Sequence, residues 1–172
     1  MAAKPTYEDL ELKVEELERK AKKLTRTEEK LKRKITELNS FINNMPDMAW
    51  LKDRKSRFIA VNKTFGEAVG MNPGSLINQT CEVCFGKEAA KKFREDDQEV
   101  MKWKKQVTIV EKIKDSKKNE DVWLETIKSP IFNESGKVSG TVGIARDITR
   151  RKQTEKEVQN SEKRFRLIFE NS

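Results

Sequence analysis

Cys81 and Cys84, in the segment C-E-V-C, are the residues whose type and spacing come nearest to reactive chemistry. Two thiols three positions apart can serve as a redox dithiol or as half of a zinc site. A redox dithiol belongs in a βαβ setting, and zinc needs two further ligands; neither accompanies this pair. The sequence has two cysteines and no histidine. It therefore has no Ser-His-Asp triad, no histidine-ligated haem and no His-containing zinc site. The pair is read as small packed residues, with thiol redox sensing as the alternative. No phosphoacceptor histidine and no nucleotide-binding glycine loop is present, so the chain is not expected to be an enzyme by itself. No catalytic and no metal-binding residue is assigned.

The elements that must position any site follow from composition and period. At 172 residues, 35% hydrophobic and 38% charged, the chain suits one domain of about 100–110 residues with charged flanks. Net charge is +8, yet residues 1–40 mix 11 basic with 9 acidic side chains. That mixture gives no basic stripe, and nucleic acid is not expected as a partner. No stretch reaches the roughly 20 apolar residues of a membrane span, and Met1–Pro5 lacks a secretory apolar core. The reading is cytoplasmic, with no membrane contact within this chain.

Residues 1–42 form the first block. Leu10, Leu17, Leu24, Leu31 and Leu38 recur every seven residues, with Tyr7, Val14, Ala21, Glu28, Ile35 and Ile42 on the complementary seam. This is a coiled-coil heptad with leucine at d, which favours a parallel homodimer. Lys13 faces Glu18 of a second copy across the seam. Glu28 and Ala21 weaken it, so the dimer is expected to be modest and switchable. One alternative is a single amphipathic helix folded on its own domain. A basic leucine zipper lacks the basic region that should precede the leucines.

Pro46 ends that helix. Met48–Lys52 and Arg57–Val61 alternate as a hairpin around the polar turn 53–56. Asn62 stands at the N-cap of a helix over Lys63–Val69. Short helices and loops fill Ser75–Phe85, and Lys87–Lys104 is an amphipathic helix with Ala90, Phe93 and Val100 inward. Strands follow at Val107–Lys114 and Asp121–Pro130, joined by a polar loop at Asp115–Glu120. After a turn at Asn133–Lys137 comes a strand, V-S-G-T-V-G-I-A-R-D-I-T, at Val138–Thr149. It carries Val142 and Ile144 on one face and the small residues Gly143 and Ala145 on the other. A charged helical run leaves it directly.

Three segments carry a resemblance: V-N-x-x-F at Val61–Phe65, W-L-E-T-I-K-S-P at Trp123–Pro130, and G-K-V-x-G-x-V-G-I-A-R-D-I-T at Gly136–Thr149. Together they resemble a PAS (Per-Arnt-Sim) sensory domain of bacterial multi-PAS sensor histidine kinases, with D-I-T the most specific piece. The resemblance implies an α+β PAS fold: a five-stranded antiparallel sheet with short helices on one face, flanked by the N-terminal coiled-coil helix and a C-terminal helix. The sensory domain would occupy residues 43–149. Residues 150–172 would be a linker helix leading into a following PAS domain, whose start the S-E-K-R-F-R-L-I-F-E-N-S tail resembles.

By the same resemblance, alternate residues before Pro130 face a ligand cavity: Lys128, Thr126 and Leu124. Gly143, Ala145 and Phe65 join them as pocket candidates, while Trp123, Glu125 and Ile127 face outward with Val142 and Ile144. A buried ammonium at Lys128 demands a partner, either a small carboxylate ligand or an internal acid such as Asp96, Asp97 or Glu111. The cofactor remains unknown. The N-C-R-F-L-Q-like cysteine segment of flavin photosensors is missing, which disfavours flavin photochemistry. Asp147, Ile148 and Thr149 would couple strand to helix. The function implied is a sensory and signal-transduction module that dimerises and relays a small-molecule or redox signal to a downstream kinase or other output domain. The alternative is a ligand-free dimerisation and relay domain.

Overall fold

The hydrophobic period changes from seven to two at Pro46, and the architecture changes with it. A computed structural model describes residues 6–114 and 120–170. The expected polar loop at Asp115–Glu120 lies outside the described residues except for Glu120, as do Met1–Pro5 and the Asn171-Ser172 end of the tail. Two units are present, Met1–Phe41 and Ile42–Ser172. The first consists of most of helix α1 (Tyr7–Asn43), which has no buried residue along its length. Its leucine seam stays exposed, from 51% at Leu10 to 62% at Leu38.

The second unit contains the strands β1 (Met48–Asp53), β2 (Phe58–Val61), β3 (Val107–Lys114), β4 (Asp121–Phe132) and β5 (Val138–Asp147). They form one antiparallel sheet in the order β2-β1-β5-β4-β3. The last strand in sequence is therefore the middle one in space. Helices α2 (Lys63–Val69), α3 (Pro73–Leu76) and α4 (Glu82–Trp103) lie between β2 and β3 in sequence, and α5 (Thr149–Glu170) leaves β5. β4 runs two residues past the expected end at Pro130. Its pairing with β3 stops at Lys128, so Pro130 has a strand neighbour on one side only, where a missing N–H is tolerated.

Helix α4 opens with a short turn from Glu82 and breaks at Gly86, whose φ of 77° and ψ of 174° belong to glycine almost alone, so its long part begins at Lys87 as expected. The core joins Phe58, Val61, Phe65, Leu76, Cys81 and Ala90. Rings run edge-to-face through it, with Phe65 5.6 Å from Trp50, 5.3 Å from Phe58 and 6.4 Å from Phe85, and Phe85 5.4 Å from Phe93. Such pairs add about 0.5–1.5 kcal/mol each beyond the area they bury.

Candidate functional site: a polar-floored cavity behind the central strand

Strand parity puts one row of side chains on the inner face of the sheet. Met48, Trp50 and Lys52 of β1 stand opposite Ala145, Gly143 and Thr141 of β5, and these in turn face Thr126, Lys128 and Pro130 of β4. Leu124, Thr126 and Lys128 are all buried, at 7%, 3% and 2% exposure. With Ala145 and Phe65 they border a cavity that Trp50, Phe58, Phe85 and Phe93 also wall. The space open to the centres of water molecules is about 40 Å³, room for about three waters at 10–15 Å³ each.

Gly143 does not open that space. A Cβ at this position would strike the Trp50 indole, so the bare patch on β5 is a seat for a ring rather than a vacancy. The opposite face behaves as the alternation implies. Ile127 is 37% exposed, and Val142 borders a shallow hollow with Ile42, Ala49 and Leu51.

The floor of the cavity is ionic. Lys52 Nζ donates to Asp97 Oδ2 at 2.9 Å, and Lys128 Nζ lies 3.2 Å from Asp97 Oδ1 and donates to Asp96 Oδ2 and the Phe93 carbonyl, each at 3.2 Å. The Lys128–Asp97 contact is an ion pair without hydrogen-bond alignment, which leaves Asp97 Oδ1 without a hydrogen-bond partner. The Trp50 Nε1 donor is also buried without one. Lys128 thus has internal carboxylate partners, the alternative that sequence allowed. Lys52 also sits near the rings of Phe58 (5.3 Å) and Trp50 (6.0 Å). Burial pulls its ammonium down, but Cys81 and Asp97 outweigh that and hold it above its ordinary value.

Cys81 and Cys84 are both free. Burial pushes the Cys81 thiol up by more than Lys52 pulls it down. Cys84 is pushed up to about 11, by burial first and Cys81 second. The reactive and metal-binding form is the thiolate, so neither sulfur is set for such chemistry near neutral pH. Among the described residues no group of three His, Cys, Asp or Glu gathers to hold a metal.

Two hydrogen-bonded knots sit at the two ends of this unit. Asn62, 1% exposed, uses all four of its hydrogen-bonding positions. Its oxygen accepts from Phe65 N (2.9 Å), capping α2, and from Ala49 N (3.0 Å); its amide donates to the carbonyls of Ile42 (3.1 Å) and Asp47 (2.9 Å). Asp147-Ile148-Thr149 forms the second knot. Trp123 N donates to Thr149 Oγ1 (2.9 Å), Ile148 N to the Trp123 carbonyl (2.8 Å), and Thr149 N to Asp147 Oδ1 (2.8 Å). Ile148 is buried at 3%. Arg146, just before this knot, pairs through Nη2 with Asp47 Oδ2 at 2.7 Å, next to the first.

A family model described as PAS fold matches residues 42–153. That stretch is the sheet, its helices and both knots. The chain belongs to the PAS family. It is 28% identical over 110 residues to the methanogenesis regulatory histidine kinase FilI of Methanothrix harundinacea, covering 64% of this chain and 12% of FilI. It is also 28% identical over 115 residues to the aerobic respiration control sensor ArcB of Escherichia coli K12, covering 67% of this chain and 15% of ArcB. The PAS chain thus spans a small part of each kinase. Among solved structures, the Vibrio cholerae VqmA–ligand–DNA complex aligns with a TM-score of 0.61 at 22% identity, covering 66% of this chain and 51% of that one.

That last likeness corrects the reading of partners. Nucleic acid was set aside because the basic residues are scattered, yet the same PAS fold occurs in a receptor solved with DNA. The charge argument weighed these 172 residues alone, while about half of that receptor lies outside the match. The exclusion therefore does not stand. For the membrane, the statement is narrower: among the described residues no helix is long and apolar enough to cross one.

Sequence reasoning missed Lys52, Trp50 and the central role of Asp97 in this PAS cavity. The signal was present. Lys52 follows Met48 and Trp50 at a period of two, and Asp97 falls on the stripe of Ala90, Phe93 and Val100 along α4.

Proposed function

We propose that this chain is a sensory module that takes a small acceptor-bearing molecule, a short-chain carboxylate above all, into the inner cavity. The signal passes from β5 into α5 and so to an output domain such as that of a histidine kinase. The observation that carries the reading is the donor-rich cavity floor under the central strand. Lys52 and Lys128 converge there on Asp97, directly behind the strand that becomes α5. Room for about three waters suits an acid of a few heavy atoms. Such an acid takes the place of Asp96 on Lys128, and Asp96, whose side chain is already 19% exposed, returns to water. α1 supports dimerisation, because its leucine seam is exposed along the helix.

The test is native mass spectrometry of freshly purified chain, followed by thermal shift with straight-chain monocarboxylates of increasing length. The expected result is stabilisation by the shortest acids that is lost in Lys128→Met. Binding of ligand to the folded state alone raises stability by RT ln(1 + [L]/Kd). No co-purified molecule and no acid-dependent shift would favour the second reading, a ligand-free relay. That reading draws on the same floor, where two ammoniums already have internal carboxylate partners.

A further inference from the structure

We propose that the inner cavity is reached from an outer groove between α2, α4 and β3, with the Phe85 ring as the door and Gly86 as its hinge. The groove, about 460 Å³, is lined by Ala68 and Val69 at the end of α2 and by residues of α4 and β3. Phe85, Phe93, Glu111 and Ile113 line both the groove and the cavity. The two hollows are therefore back to back, with two edge-to-face rings, Glu111 and an isoleucine between them. Phe85 meets Phe93 edge-on at 5.4 Å and Phe65 at 6.4 Å, so it spans from the partition to the core.

The backbone next to this ring is built to bend. Gly86 interrupts α4 with φ 77° and ψ 174°, which separates the short turn Glu82–Phe85 from the helix that follows. A Cβ at Gly86 would meet nothing within 4 Å, so the glycine is required by its dihedral angles and not by crowding. Swinging the short turn about Gly86 moves Phe85 without disturbing Asp97, which lies on the other side of the break. The polar latch is Lys92 Nζ–Glu111 Oε2 at 3.0 Å, joining α4 to β3 at the mouth of the groove. Small solutes would pass where ring and latch part. This route concerns access alone and holds whichever molecule the cavity accepts.

Acrylamide, a small uncharged quencher, tests the route without any carboxylate. The full chain carrying Trp103→Phe and Trp123→Phe keeps Trp50 as its one tryptophan, since the sequence has three. Quenching of Trp50 fluorescence then reports passage into the cavity. Phe85→Ala is expected to raise the quenching constant severalfold, and Lys92→Ala, a surface change, to raise it by less. Met48→Ala, on a wall the groove does not share, is expected to leave it unchanged. An equal rise for Met48→Ala and Phe85→Ala overturns the route. So does no rise in Phe85→Ala and Lys92→Ala chains that retain the parent's circular dichroism and melt. Should Phe85→Ala fail to fold, Phe85→Leu with Lys92→Ala carries the same comparison.

Discussion

Asp97 receives two ammoniums on one carboxylate, and the side chains of Lys52, Lys128 and Asp97 are 2%, 3% and 1% exposed. Removing one member of such a group strands the others in a medium that solvates charge poorly. Breaking a buried ion pair costs about 3–5 kcal/mol, whereas replacing it whole with apolar residues is often neutral or stabilising. Asp97→Asn is accordingly expected to lower the stability by that order, about 3–5 kcal/mol, in urea unfolding. The triple variant Lys52→Met/Asp97→Leu/Lys128→Met should recover much of the loss; a loss below about 1 kcal/mol in Asp97→Asn would mean the lysines find water instead. The same cluster sets an alkaline limit. Lys52, Cys81 and Cys84 are all raised in the folded chain, from ordinary values of 10.5, 9.0 and 9.0. Below pH 9.0 folded and unfolded chains hold the same protons on these groups, and their stabilising contribution is complete. Above it the unfolded thiols lose protons first, the folded chain binds more, and stability falls as pH rises through the folded values. Melting temperature should therefore begin to drop as pH rises past 9.0, and the early part of the drop should vanish in Cys81→Ser/Cys84→Ser. An unchanged pH profile in that double variant would remove the thiols from the account.

At the scale of elements, α5 is attached to the sheet at its first turn by side chain and backbone together. Thr149 Oγ1 accepts the Trp123 N–H, while Ile148 N donates to the Trp123 carbonyl, so one residue of β4 holds both ends of the turn. Thr149→Val keeps the shape and removes the acceptor, leaving a part-buried donor whose loss of a partner costs about 1–3 kcal/mol. Hydrogen exchange at the Trp123 amide and along the first turn of α5 should quicken, with Thr149→Ser restoring protection. Equal exchange in Thr149→Val and the parent would detach this hydroxyl from the coupling. Much of this arrangement was legible in the sequence because it follows from period. Alternation put Leu124, Thr126 and Lys128 on one face, and D-I-T marked where the strand turns into helix. Asn62 was legible as a cap, but its bonds to Ile42, Asp47 and Ala49 reach 13 to 20 residues back and depend on how elements pack. The same limit hid the filling of Gly143. A glycine opposite a tryptophan reads as space in one strand and as contact only when β1 is laid beside β5. Gly86, by contrast, fell at the boundary the sequence drew between the short helices of Ser75–Phe85 and the helix Lys87–Lys104, and α4 breaks there.

At the scale of the whole chain, the two units follow different rules of stability. The sheet unit buries its own core, while α1 presents Leu10, Leu17, Leu24, Leu31 and Leu38 at 51% to 62% exposure and buries nothing. Helices draw most of their stability from packing an apolar face, and a helix of 37 residues gains little of it from ion pairs such as Lys13–Glu16 and Arg33–Glu37. Exposed pairs of this kind contribute only about 0.2–1 kcal/mol each. Under the proposed dimer the seam would take a second copy, and its weakest point would be the Ala21–Glu28 stretch, where a small residue and a charge replace branched apolar residues at a. Burying a leucine contributes about 1.5–3 kcal/mol, and a dimer would gain it twice. Glu28→Leu is thus expected to tighten self-association strongly, and Leu31→Lys to weaken it, as read by sedimentation equilibrium on the full chain. The sheet unit should melt the same way in both variants, since the substitutions lie in the other unit. A Glu28→Leu chain that sediments as a monomer at every accessible concentration would rule out the heptad as a pairing surface.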